Sequence, residues 1–84
     1  MFSQAVRTEN ARLLFETFKT AVLEERKAQR LYAHALSLCT DEFLRPIFQE
    51  LIDDEKRHER LLIERYNAMA TQMRYEPAPA DVQA

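Results

Sequence analysis

Apolar residues recur through most of this chain at the spacing of an α-helix. Stepping 100° per residue from Glu25, Leu14, Phe18, Tyr32 and Leu36 fall about 20° away, and Ala11, Ala21 and Cys39 about 40° away. Val22 and Ala28 lie about 60° round. This stripe predicts a helix from about Ser3 to about Cys39. A second stripe is centred on Glu55. Leu44, Phe48, Leu62 and Tyr66 lie within about 20° of it, Leu51 and Met69 about 40° away, and Met73 in line. It predicts a second helix ending near Arg74. Each helix carries a carboxylate in the middle of its apolar stripe.

The break between them falls at Cys39-Thr40-Asp41-Glu42. Thr40 or Asp41 suits an N-cap, and the acids suit the positive end of a helix dipole. Pro46 fits the first turn of the second helix or a slight kink in it. So short a connection makes the helices antiparallel neighbours. From Glu76 the chain turns to Pro and Ala. Residues 1–75 therefore read as one helical hairpin, and residues 76–84 as a disordered tail.

Composition agrees with an all-α reading. The 84 residues include no Gly and three Pro, with Ala, Leu, Glu, Arg and Gln throughout. A net charge of −2 with mixed signs leaves no basic stripe for nucleic acid and no reason to invoke a membrane surface. No apolar run is long enough to span a bilayer, and no signal peptide is visible. Cys39, the single cysteine, fits a reducing cytoplasm. Two amphipathic helices alone leave long apolar stripes half exposed. The simplest closure is a homodimer that forms a four-helix bundle.

Glu55 and His58 form an E-x-x-H step, so both face one side of the second helix. A charged or imidazole group in an apolar seam is costly to bury unless something pairs with it. One Glu from a helix plus E-x-x-H from its neighbour is half of a di-iron carboxylate site. A two-fold axis would gather Glu25, Glu55 and His58 with their copies, and four carboxylates balance two divalent cations. Carboxylate and imidazole donors suit iron or manganese, and zinc can occupy such sites without redox chemistry.

Glu25-x6-Tyr32, the thirty-residue gap, and Glu55-x-x-His58 within Phe48-Gln49-Glu50-Leu51-Ile52-Asp53-Asp54-Glu55-Lys56-Arg57-His58 resemble the rubrerythrin and ferritin-like superfamily. With one such half, the chain most resembles the encapsulated ferritins over roughly Phe15 to Met69. The resemblance implies a ferritin-like four-helix bundle built from two hairpins and assembled further into a ring. It implies ferroxidase activity in iron storage or detoxification, with Fe(II) oxidised by dioxygen or peroxide. Glu25, Glu55 and His58 from each of two subunits would hold a di-iron centre, where zinc, manganese or calcium could substitute. Tyr32 would sit behind the ligands, and Glu24 would match an acid associated with iron access. Lys27 stands where those ferritins carry another acid, and Leu31 where a Trp often precedes the Tyr. An encapsulin shell is the partner the family implies, although the tail lacks the Leu- and Gly-containing peptide that addresses cargo to one.

Plainer readings exist for each residue. E-x-x-H is often solvated surface, and Tyr32 in a stripe is ordinarily core. Glu24 suits a solvated flank, His34 faces away from Glu25, and Met69 and Met73 suit core packing. Cys39 reads as a small buried filler. Glu59 fits either an auxiliary carboxylate or the edge of the stripe. Two other functions compete: a rubrerythrin-like peroxide reductase, and a non-enzymatic helical scaffold whose metal is structural.

Overall fold

The computed structural model describes residues 4–73, with side chains from Glu9 onward. The expected tail lies outside the described residues. The described chain is two helices, α1 from Gln4 to Leu38 and α2 from Leu44 to Met73, packed against each other as a hairpin. None of these helices is long and apolar enough to cross a membrane.

A chain without glycine must close its turn by other means. Asp41 caps α2: its Oδ1 accepts the backbone N–H groups of Phe43 at 2.8 Å and Leu44 at 3.1 Å. Its carbonyl accepts the N–H of Arg45 at 3.1 Å. These bonds satisfy donors that a helix start otherwise leaves open. Of the two cap candidates, Asp41 serves. Pro46 falls in the first turn of α2, where a missing N–H is tolerated, and the helix continues unbroken through it.

The exposed carbonyls at the end of α1 are met by a side chain. Arg45 Nη1 donates to the carbonyls of Leu36 at 3.2 Å and Cys39 at 2.9 Å. The Cys39 N–H also donates to Leu36 O, at 3.2 Å, tightening the last turn. Arg45 thus supplies the hydrogen bonds that a glycine-based C-cap would otherwise organise. Cys39 is only half-buried, with its Sγ 3.5 Å from the carbonyl of Asp41, so it belongs to this turn and not to the core.

The core of the hairpin follows one flank of each stripe. Phe15 and Val22 are fully buried, and Ala11, Ile63, Tyr66 and Ala70 complete their cluster. The rings of Phe15 and Tyr66 meet edge to face with centroids 4.9 Å apart. Phe18, Leu62 and Met69 pack against the cluster, and Ile52 is buried nearer the turn. By rotation, the buried positions lie about 20° to 80° from Glu25 or Glu55 in one sense. Leu14 and Leu44 lie in the opposite sense and are exposed, as is Ile47. Because α2 is antiparallel to α1, the same rotational sense brings both uncovered flanks to one face of the hairpin.

Glu25 and Glu55 therefore stand on the border between the packed seam and this uncovered apolar face. Both are central to the apolar stripes taken as a whole. The seam within one chain takes only half of each stripe.

This division predicts unequal sensitivities. Phe15→Ala should remove about 3 kcal/mol of folding stability and Asp41→Ala about 1 kcal/mol, read by urea denaturation followed by circular dichroism. Equal losses would mean that the Phe15–Tyr66 cluster does not dominate the core.

Candidate metal centre

Three of the expected ligands converge. Glu55 and His58 stand one turn apart on α2, and Glu25 faces them from α1. His58 Nδ1 lies 3.7 Å from Glu25 Oε2 and 3.8 Å from Glu55 Oε2. One donor atom from each residue can be chosen so that all lie within 4.8 Å of one another.

These separations are too long for hydrogen bonds. A transition ion held at about 2.0–2.2 Å from oxygen and nitrogen ligands places neighbouring donors about 3 Å apart. The set is thus slightly wider than a closed shell, and small side-chain rotations would narrow it.

Burial gives the cluster its electrostatic character. The Glu25 and Glu55 side chains are 22% and 20% exposed, while His58 is 58% exposed on the open side. Glu25 Oε2 is shielded from solvent and has no hydrogen-bond partner. An ionised oxygen left this way is costly, and the cost disappears if a cation takes the position. That orphaned oxygen, facing an imidazole and a second carboxylate, fits a hard or borderline divalent cation.

The remaining candidates take other positions. Tyr32 is half-buried, about two turns along α1 from Glu25 on the uncovered flank. Glu24 is exposed and lines a shallow surface groove with Lys27, Ala28, Arg30 and Leu31, outside the cluster. His34 is exposed, as its position opposite Glu25 suggested. Met69 is partly buried against the core, whereas Met73 is exposed.

Glu59 has a defined place that rotation alone left open. Its Oε1 accepts from Arg26 Nε at 3.2 Å and from Gln29 Nε2 at 2.9 Å, across the helix seam. Glu59 is 13% exposed, more buried than either carboxylate of the cluster. Glu59 is therefore an interhelical partner and not a member of the cluster. Arg26 and Gln29 were not singled out from sequence. Rotation about either helix alone does not give their pairing: once Phe15 is set against Tyr66, antiparallel steps bring Arg26 opposite the turn that holds Glu55 and Glu59.

Comparison with protein-family models, with curated proteins and with solved structures gives no match.

If Glu25 Oε2 is an unsatisfied acceptor, removing it should help the metal-free protein. Glu25→Leu is expected to raise stability in the presence of a chelator by about 1 kcal/mol, measured by urea denaturation. A lower stability would show that the carboxylate already makes a favourable interaction.

Proposed function

We propose that Glu25, Glu55 and His58 form half of a di-iron centre, completed by the same residues of a second copy, and that the dimer is a ferroxidase. The observation that carries this reading is the solvent-shielded, unpartnered Glu25 Oε2 beside Glu55 and His58. The cluster borders the apolar face that one hairpin leaves uncovered, where Leu14, Leu44 and Ile47 are exposed. A second hairpin laid on this face would cover those side chains and bring its own three donors toward the first set. Two hairpins then make a four-helix bundle of the ferritin-like kind.

Fe(II) is the substrate in this scheme. Two Fe(II) ions give two electrons to dioxygen, which takes up two protons and leaves as hydrogen peroxide, and two Fe(III) ions result. The carboxylates supply negative charge that favours the higher oxidation state. His58 would supply a nitrogen donor from the i, i+3 position of Glu55. In the dimer the covered apolar face would limit water around the ions, and Tyr32, about two turns along α1, would take the place behind the ligands that the resemblance implies. The product would pass on to a mineral store. Zinc, manganese or calcium could occupy the same donors, zinc without redox chemistry. Further assembly of dimers into a ring, and an encapsulin shell around them, belong to the same reading.

Anaerobic Fe(II) titration followed by oxygen tests the proposal. About one iron per chain should bind, and a near-ultraviolet ferric absorbance should rise on oxygenation. Glu55→Ala/His58→Ala should abolish both signals. Light scattering should show metal-dependent formation of a dimer or a multiple of it. Undiminished oxidation in the double variant, or a monomer at saturating metal, would overturn the shared-site reading.

A further inference from the structure

The uncovered surface of α1 is wider than the strip beside the cluster. Leu13, Leu31 and Leu38 are half or more exposed. They lie about 120° to 140° round from Glu25, in the same sense as Leu14. Between them and the cluster runs a row of small, half-buried side chains, Ala21, Ala28 and Ala35. Glu24 and Lys27 stand on the outer part of this surface, both exposed.

Opposite charges three residues apart on a helix can pair. Glu9 pairs with Arg12 and Glu16 with Lys19 at this spacing. Glu24 and Lys27 have the same spacing, yet their side chains enter no ion pair among the described residues.

These positions are symmetric about Glu25. Ala21 lies four residues before it and Ala28 three after. Leu13 lies twelve before and Leu38 thirteen after, and Glu24 one before and Lys27 two after. Reversing the helix about the level of Glu25 sets alanine against alanine, leucine against leucine and acid against base. Each match holds to within about one residue, or about 1.5 Å. A two-fold axis perpendicular to α1 makes that reversal.

We infer that the copy completing the metal site docks its α1 antiparallel on this α1, with the two-fold axis level with Glu25 and Glu24 of each copy against Lys27 of the other. The inference rests on the shared-site reading and adds which surfaces meet. The alanines let the two backbones approach, which draws the two Glu25 side chains toward one site. The outer leucines are covered by the same contact. Two Glu24–Lys27 pairs then close the outer edge and fix the register, since like charges there would oppose docking.

Mixing two full-length variants tests this. Glu24→Lys makes both positions positive, and Lys27→Glu makes both negative. Circular dichroism checks that each chain keeps its helices. The variants, one labelled with nitrogen-15, are combined in equal parts with chelator and then given excess zinc. Native mass spectrometry weighs the dimers. In the inferred contact the mixed dimer has two attractive pairs, and each pure dimer has two repulsive ones. The mixed share should therefore rise from the random value of about one half to about nine-tenths at low salt. It should fall back toward one half in about 1 M salt, where charges are screened beyond about 3 Å.

A share near one half at low salt overturns the inference and leaves the shared site standing. That is the result for α1 docked on α2 of the second copy, where the altered positions do not meet. A wild-type chain that stays monomeric at saturating zinc overturns the shared-site reading and this inference with it.

Discussion

Two helices lying side by side can cover only one flank of each other, and this constraint governs the rest of the molecule. The apolar stripe on each helix is wider than the strip its partner can shield. Phe15, Val22, Ile63, Tyr66 and Ala70 occupy the shielded side. Leu14, Leu44 and Ile47 remain outside it. A pair this thin, with extents of 57 × 21 × 17 Å, has no second layer to bury the surplus. Glu25 and Glu55 stand where the two flanks meet. At that position a polar group borders both the closed seam and the open face.

The seam contains carboxylates in two different conditions, one turn apart. Glu59 is the more buried, and an arginine and an amide converge on one of its oxygens. Glu25 is less buried but has a shielded oxygen with nothing to bond. A sequence selected only for stability would remove the second condition, since an apolar side chain would extend the seam at that point. The chain instead keeps three donors together around the unsatisfied oxygen and a satisfied ion pair beside it. Unsatisfied groups of this kind are where function is expected to offset stability.

Much of the hairpin was legible because helical periodicity and the Thr40-Asp41 break are local signals. The three-residue cluster was also legible, since Glu55 and His58 are one turn apart and Glu25 is centred on the facing stripe. What rotation alone missed has one cause. Angles measured from Glu25 or Glu55 without regard to sense merge two flanks, so Phe15, Ile52, Ile63 and Ala70 went unselected although they form the seam. The Arg26–Glu59 pair needed the register between helices, which only a tertiary contact such as Phe15–Tyr66 fixes. The carbonyl capping by Arg45 depends likewise on how the turn folds back, and no short motif announces it.

In the proposed dimer, closing the uncovered face and filling the metal site are one event seen from two directions. A cation that binds only between two copies stabilises the dimer by mass action, and dimerisation tightens cation binding to the same extent. Apolar closure alone would favour the dimer through the exposed leucines and isoleucine. It would also press four carboxylates toward one another, which opposes association until a cation arrives. The balance between these terms makes metal availability the quantity that sets the assembly state.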